Sequence, residues 1–146
     1  MKLHKDLKEF IELLNSHGVE YLIVGGHAVA YHGHPRYTGD IDFFVRPSRE
    51  NAARVLGALD AFGFGQVGFN VDTFTEPEKV IQLGRPPNRI DLLTSISGVS
   101  FEDAWPSRVD AQLDGAPVWF IGKTALIANK RAAGRQKDLA DLEEID

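Results

Sequence analysis

The sequence predicts an α/β (α+β) fold in which a mixed β-sheet is flanked by helices. Two short apolar runs, YLIV at 21–24 and FFV at 43–45, have the length and the β-branched or aromatic content of buried strands. Two further pairs of apolar segments, within 79–93 and 108–121, are each joined by turn residues in the manner of β-hairpins. Helical patterns precede, separate and follow these strands, so we expect layers of helices around one sheet.

Composition and charge exclude several classes of protein. The 146 residues suffice for one domain with a substantial core, and we expect a single domain over 1–146. The net charge of −5 provides no overall basic field that would attract nucleic acid or anionic lipid. The lack of cysteine excludes disulfides and thiolate–zinc sites. The start MKLHKDLKEF is unlike a signal peptide and no apolar run reaches membrane-spanning length, so a cytoplasmic protein without a membrane partner is expected.

Two amphipathic helices are predicted in the first half of the chain. The first covers 3–17 and ends before Gly18, and its apolar stripe consists of Leu3, Leu7, Phe10, Ile11 and Leu14. The second covers 49–62 after Ser48, which suits an N-cap, and its inward side consists of Ala52, Val55, Leu56, Leu59 and Phe62. The glycine-rich segment that follows matches neither pattern of a phosphate-binding loop, and we interpret it as a connection with at most a short strand.

The second half of the chain is predicted to form two hairpins and a C-terminal helical segment. In chain order the elements are strands at 79–83 and 89–93 around the turn GRPPN, a helical turn at 101–106, strands at 108–113 and 118–121 around Asp114-Gly115, and helices at 123–133 and 136–145. Gly134 separates the last two helices, and the segment 122–146 therefore forms the helical end of the domain.

The stretch from 21 to 45 carries the strongest functional signal. Gly25-Gly26 ends the first strand, and a glycine pair lets the backbone turn sharply and pass close to a ligand before a short helix at 27–32. Asp40 and Asp42 then open the next strand two residues apart, so their carboxylates are expected on one face. Although D-x-D is common by chance, this context predicts a divalent-metal site beside a turn that can receive phosphate.

A third carboxylate, Asp91, lies inside the apolar strand at 89–93. A carboxylate in such a strand is costly unless it is paired or bound to a metal. Two alternatives are equally favoured by this segment: Asp91 is a metal ligand, or it forms an ion pair with Arg89 or Arg36.

The helical end of the chain concentrates charge between its two helices, in Lys130, Arg131, Arg135, Lys137, Asp138 and Asp141. A solvated helical face with Lys–Asp pairs accounts for most of these residues. Lys130 is the exception, because it lies on a helix rich in small residues and can approach a site closely.

Together these residues resemble the nucleotidyltransferase superfamily, the fold of DNA polymerase β, in its minimal bacterial form. Three segments carry the resemblance: GGHAVAYHGHPRYTGDIDFFV, RIDLLT and NKRAAGRQKDLADLEEI. The last is similar to the K…R-x-KD-x-x-D segment of AbiEii-type toxin–antitoxin nucleotidyltransferases and related uncharacterised bacterial proteins. The resemblance extends from about Tyr21 to the end of the chain.

The resemblance implies an enzyme that moves a nucleoside monophosphate from an NTP such as ATP to a hydroxyl acceptor, with Mg²⁺ or Mn²⁺ as cofactor. Asp40 and Asp42 would bind two Mg²⁺ ions, and Asp91 would complete the set and help to activate the attacking hydroxyl. Gly25 and Gly26 would hold the β- and γ-phosphates through backbone N–H groups and the N-terminus of the following helix.

Further nucleotide contacts are expected from the same segments. Arg36 and Thr38 lie near the expected phosphates, His27 follows the glycine pair, and Lys130 would neutralise the charge of the triphosphate. The chain departs from the family at Gly26, where the usual residue is Ser, so phosphate contact there is left to backbone groups.

The sequence does not identify the acceptor or the partner, and it is compatible with two other functions. The acceptor is a tRNA end, a protein hydroxyl or a small molecule, and it would dock on a toxin–antitoxin partner or a homodimer interface because the chain has no room for a large acceptor domain. Gly26 favours a non-catalytic nucleotide-binding module, and the three aspartates favour an enzyme. The remaining alternative is a component of a toxin–antitoxin pair that mainly docks its partner.

Overall fold

The computed structural model describes residues 3–33, 35, 39–65 and 68–145. The strands are β1 Tyr21–Val24, β2 Ile41–Val45, β3 Val80–Leu83, β4 Ile90–Leu93, β5 Val109–Leu113 and β6 Ala116–Phe120. The helices are α1 Lys5–Ser16, α2 Gly25–His32, α3 Arg49–Leu59, α4 Phe101–Ala104, α5 Lys123–Ala133 and α6 Gln136–Ile145. None of these described helices combines the length and the apolar character that crossing a bilayer requires.

The described strands form one mixed sheet in the order β3-β4-β2-β1-β6-β5. The central strands β1 and β2 are antiparallel, and each has a parallel neighbour on its other side, β6 and β4 respectively. The two outer pairs are the predicted antiparallel hairpins. The prediction of an α/β fold with a mixed sheet flanked by helices is confirmed. The two apolar runs around the aspartate pair occupy the middle of the sheet, where both faces are covered.

One face of the central strands packs against α1 through aromatic rings. The ring of Phe43 lies 5.8 Å from that of Phe10 and 5.3 Å from that of Tyr21, both at edge-to-face angles. The buried Tyr21 hydroxyl donates a hydrogen bond of 3.0 Å to Asn15 Oδ1, which satisfies its polar atom. Because side chains alternate along β2, the neighbour Asp42 points to the opposite face, where α2 contacts the strands.

The start of α3 is tied to the ends of the two central strands by Asn51. Ser48 Oγ accepts a hydrogen bond of 3.2 Å from the Asn51 N–H, which confirms the predicted N-cap. The buried Asn51 amide donates to the carbonyls of Glu20 and Arg46, at 3.0 Å each, and accepts from the Glu20 N–H at 2.8 Å. One side chain therefore fixes where β1 begins and β2 ends.

The structure differs from the sequence prediction by a few residues at most element boundaries, and four differences concern the site or the connection after α3. The helix α2 begins at Gly25 instead of at the predicted residue 27, so the glycine pair forms its first turn. Asp40 precedes β2, which begins at Ile41. The helix α3 ends at Leu59 and widens into the π-helical turn Asp60–Phe64, because Gly63 adopts a φ of +102°. The described residues of the glycine-rich connection, 63–65 and 68–69, contain no strand, and a 3₁₀ turn at Val71–Phe74 follows it.

We expect Phe43→Ala to lower the free energy of unfolding by about 3–5 kcal/mol, because it removes a buried ring from the centre of the aromatic cluster. Urea denaturation of the variant measures this loss. Leu139→Ala is the control, since that side chain is 52% exposed and its loss should stay within about 0.5 kcal/mol. Equal small losses in the two variants would contradict the packing described here.

Candidate active site

An open cleft of about 1110 Å³ lies where β1, β2 and β4 meet the start of α2 and the junction of α5 with α6. This volume is at the large end of the range for small-molecule sites, about 300–1,000 Å³, so the cleft can accommodate more than one ligand group. Six of the predicted site residues line it: Gly25, Gly26, Asp40, Asp42, Asp91 and Lys130.

The carboxyl groups of Asp42 and Asp91 lie side by side at the floor of the cleft. Parallel pairing of β2 with β4 makes the two residues register partners, and their side chains share a hydrogen bond. Burial, together with the hydrogen bond and negative charge of Asp91, raises the pKa of Asp42 to about 7, against the opposing positive charges of Lys137 and Arg89. Burial and the proximity of Asp91 therefore both favour the neutral form of the Asp42 carboxyl group.

Gly25 allows Asp42 to reach this position. Val24 pairs with Asp42 across the β1–β2 ladder, and Gly25 then turns the chain into α2 with a φ of +67°. A Cβ on Gly25 would lie 2.1 Å from Asp42 Oδ2, closer than any non-bonded contact allows. The N-cap residue of α2, Val24, makes no side-chain cap, so among the described residues the first backbone N–H groups of the helix are left to the cleft. The glycine pair therefore serves both the carboxylate and the helix N-terminus.

The positive charge of Arg89 is shared between two carboxylates of the cleft, Asp91 and Asp40. Its guanidinium donates to Asp91 from Nε at 2.8 Å and from Nη2 at 3.2 Å. Nη2 also lies 3.4 Å from Asp40 Oδ2, and the Arg89 backbone N–H donates to Asp40 Oδ1 at 3.2 Å. The ion-pair alternative for Asp91 is thus present through Arg89, whereas its alternative partner Arg36 lies outside the described residues.

A largely buried ion-pair cluster joins α5 to α6 on the helix side of the cleft. Lys130 Nζ lies 3.3 Å from Asp138 Oδ1 and 3.1 Å from Asp141 Oδ2, and the Lys130 side chain is only 4% exposed. Arg135 donates to Asp138 from Nε at 2.7 Å, from Nη2 at 3.2 Å and from its backbone N–H at 3.1 Å. The last of these bonds is half of a capping box, in which the third residue of α6 accepts from the residue preceding the helix. The two acidic residues therefore hold the helices together.

The structure brings most of the predicted site residues together. His27 is the exception among the described ones, since it is buried within α2 and is 5% exposed. Arg36 and Thr38 lie outside the described residues. The nucleotide-binding roles of all these residues stay predictions, and the charge of Lys130 is already balanced by two carboxylates.

Several cleft residues were not predicted from the sequence. Lys137 lines the cleft from α6, and the opposite side is formed by the β3–β4 edge with Val80, Leu93 and Ser95. Strand alternation could have identified Leu93, because it lies two residues after Asp91 on the same face. Val80 is its partner on β3, and only the strand pairing reveals that.

Among the described residues, no group of three or more histidine or acidic side chains is arranged to hold a metal ion. One reason is that both oxygens of Asp40 face Arg89. The donor set nevertheless fits Mg²⁺ in kind, because Asp42 and Asp91 supply the hard oxygens that this cation prefers. A cation bound there would favour the ionised carboxylates, against the burial and the Asp91 contact that raise the pKa of Asp42. The magnesium site stays a prediction with a fitting pair of ligands.

A comparison with protein-family models finds one match, to a family described as "Nucleotidyltransferase of unknown function (DUF6036)", over residues 2–146. No curated protein matches the chain. The matched range includes both strands that carry the paired aspartates, the glycine turn and the α5–α6 cluster.

We expect Gly25→Ala to destabilise the fold more than Gly115→Ala. Both glycines have a positive φ, +67° and +81°, so each substitution carries a backbone cost of about 1–2 kcal/mol. Only the new methyl group at Gly25 would meet another atom, Asp42 Oδ2, whereas the space around Gly115 is open for 4 Å. Urea denaturation of both variants measures the difference. Equal losses would mean that the close approach of Asp42 does not constrain this position.

The Asp138 carboxylate should make the fold sensitive to acid. Its hydrogen bonds with Arg135, and then with Lys130, lower the pKa of Asp138 from the usual 3.8 to about 2. Because the pKa is lower in the folded chain, the ionised group stabilises the fold above about pH 4, and this contribution is lost as the pH falls toward about 2. We expect Asp138→Asn to be less stable than wild type near neutral pH, with a difference that shrinks across that window.

Denaturant unfolding at a series of pH values measures this difference. Asp110→Asn is the control, because Asp110 is an exposed aspartate on β5. A wild-type advantage that stays constant from neutral pH to below pH 3 would contradict the role given to the Asp138 charge.

Proposed function

The chain belongs to the family of nucleotidyltransferases of unknown function (DUF6036), and from this premise we propose that its cleft transfers a nucleoside monophosphate from an NTP to a hydroxyl acceptor in a Mg²⁺-dependent reaction. Family membership supports a transferase at the coarse level. The observation that carries the finer proposal is the carboxyl pair of Asp42 and Asp91, held against the glycine turn at one end of an open cleft.

The triphosphate would lie along the start of α2. The backbone N–H groups of Gly25 and Gly26 face the cleft without competition from a capping side chain, and the positive end of the helix dipole favours phosphate there. A side chain at Gly25 would obstruct Asp42, so the same glycine that admits the carboxylate also keeps the phosphate path open.

Asp42 and Asp91 would hold Mg²⁺ or Mn²⁺, with Asp40 available once it releases Arg89. When bound there, the cation neutralises charge on the phosphate oxygens as the reaction proceeds. The protein contributes rigid placement, because two adjacent strands fix the carboxyl groups and their spacing does not depend on a loop.

The chemical step is an in-line displacement at the α-phosphorus. The acceptor hydroxyl oxygen forms the new bond, the bond between the α-phosphorus and its bridging oxygen breaks, and pyrophosphate leaves with the electron pair. The proton of the hydroxyl passes to a carboxylate beside it, a role that we propose for Asp91. With pyrophosphate at the α2 side, the acceptor would enter from the β3–β4 side, where Leu93 and Val80 form the wall.

The acceptor remains open among a tRNA end, a protein hydroxyl and a small molecule. The resemblance to AbiEii-type enzymes extends the proposal to a toxin–antitoxin pair, in which a partner protein or a second copy of the chain would complete the acceptor site. Copurification of a partner from the native host would support that extension.

A second candidate function is nucleotide binding without turnover. The observation that favours it is Arg89, whose guanidinium already provides the positive charge that Asp91 and Asp40 need. Gly26, which lacks the hydroxyl usual at this position in the resembling family, points the same way.

The proposal is tested by the transfer of label from each α-³²P NTP, with Mg²⁺ or Mn²⁺, into total tRNA and into cell-extract protein. We expect wild type to transfer label and Asp42→Asn to lose about a thousandfold in rate, since a cation at this site contributes several kcal/mol to the transition state. Asp110→Asn removes the same charge from an exposed position outside the cleft and should react like wild type.

The outcomes separate the two candidates. Label that depends on Asp42 supports the transferase, and its location identifies the class of acceptor. NTP binding without transfer under any condition would favour the binding module. Transfer that is equal in wild type and Asp42→Asn would place the chemistry elsewhere and contradict the proposed site.

A further inference from the structure

The cleft contains four described cations, and three of them are already paired with carboxylates. Arg89 is held by Asp91 and Asp40. Lys130 and Arg135 are held within the buried cluster described above. Lys137 is the fourth, and it forms no ion pair with any residue that the structure describes. An unpaired cation in a cleft is the one that can neutralise an incoming anion without first breaking a contact.

Lys137 is placed where such an anion would lie. It is the second residue of α6, its side chain is exposed, and it lines the same cleft as Gly25, Gly26 and Asp42. Its positive charge acts on Asp42, where it opposes the rise in pKa that burial and Asp91 cause. The lysine therefore acts electrostatically on Asp42, while its ammonium group forms no ion pair with any described residue.

The geometry of α2 and α6 strengthens this placement. Both helices begin at the cleft, and their far ends meet, since a Cβ on Gly33 would lie 2.8 Å from the Glu144 carbonyl oxygen. The two helices thus point their positive N-terminal ends toward the same space. Phosphates held by the first turn of α2 would lie beside the first turn of α6, which carries Lys137.

The buried cluster explains how Lys137 is held there. Asp138 follows Lys137 directly, and its carboxylate is fixed by Lys130 from α5 and by Arg135 from the residue before α6. Asp141, one turn later, is fixed by Lys130 as well. The first turn of α6 is therefore fixed from two sides, and with it the backbone position from which the Lys137 side chain extends.

We propose that Lys137 binds the β- and γ-phosphates of the nucleotide, and that Lys130, with Asp138 and Asp141, is a positioning group that fixes the start of α6. This deepens the proposed function and rests on it for the identity of the ligand. It also assigns Lys130 a role different from the direct phosphate contact expected from the sequence.

The experiment measures the binding of inorganic tripolyphosphate and of AMP by isothermal titration calorimetry, with and without Mg²⁺. We expect Lys137→Ala to weaken tripolyphosphate binding about tenfold or more, because a charge-assisted contact is lost, and to leave AMP binding and the unfolding temperature unchanged. Lys137→Arg keeps the charge and should retain most of the affinity. Lys123→Ala is the matched control, since it removes the same charge from the exposed first turn of α5 outside the cleft.

Lys130→Met provides the contrast for the positioning role. We expect a lower unfolding temperature in this variant, because two buried carboxylates each lose one ion-pair partner, whereas Lys137→Ala should unfold like wild type. Weaker tripolyphosphate binding in Lys130→Met without any loss of stability would assign the phosphate contact to Lys130 and overturn the inference.

The remaining outcomes separate this inference from the proposed function. Equal tripolyphosphate affinity in Lys137→Ala and Lys123→Ala would overturn it, and so would a wild type that binds no tripolyphosphate. Label transfer by wild type would stand in either case. A loss of binding that is specific to Lys137→Ala, in a protein that transfers no label, would support the phosphate site and reject the transferase.

Discussion

The pairing of β2 with β4 forces two carboxyl groups together, and much of the molecule is arranged around that contact. Parallel register leaves Asp42 and Asp91 side by side on one sheet face, partly removed from water. Their mutual repulsion raises the pKa of Asp42, and the positive charges of Lys137 and Arg89 oppose that rise. Without a cation or a proton such a pair opposes folding, so its presence in the middle of the sheet indicates a role beyond packing.

Three separate features of the surrounding structure hold β1 and β2 so that Asp42 can lie beside Asp91. Gly25 leaves room for the Asp42 oxygen where any side chain would collide with it. The aromatic cluster on the opposite face holds β2 rigidly against α1. The Asn51 amide fixes the strand ends. Each constraint acts on the backbone of β1 or β2, so the carboxyl pair stays in place while the cleft in front of it remains open to solvent.

Charge is distributed between the two sides of the cleft in different ways. On the sheet side the acids dominate, and Arg89 shares its guanidinium between two of them. On the helix side the cluster around Lys130 and Asp138 is balanced internally and buried, so it stabilises the helix pair without adding net charge to the cleft. Among the described cations that line the cleft, Lys137 is the one without an ion pair to a described carboxylate. This arrangement supports the proposed triphosphate ligand, whose phosphates would lie near Lys137 and whose cation would lie at the carboxyl pair.

The sequence by itself determined the elements and the chemistry-bearing residues. The apolar runs, the helical spacing and the turn residues predicted the strands and helices with small boundary errors, because these signals are local. The pairs Gly25-Gly26 and Asp40-x-Asp42 were recognisable for the same reason. In contrast, the boundary at Gly25 was misplaced, because its contact with Asp42 lies across the sheet.

Only the tertiary structure decided which charges are paired. Arg89 holds Asp91 two residues along the same segment, as strand alternation allows, but its contact with Asp40 depends on the packing of β4 beside β2. Lys130, which the sequence left free to meet a ligand, is enclosed by carboxylates from a helix that folds back after Gly134. Ion pairing depends on the distance between groups on different elements, and spacing along the chain does not encode that distance. The exposed position of Lys137 beside the glycine turn follows from the same packing.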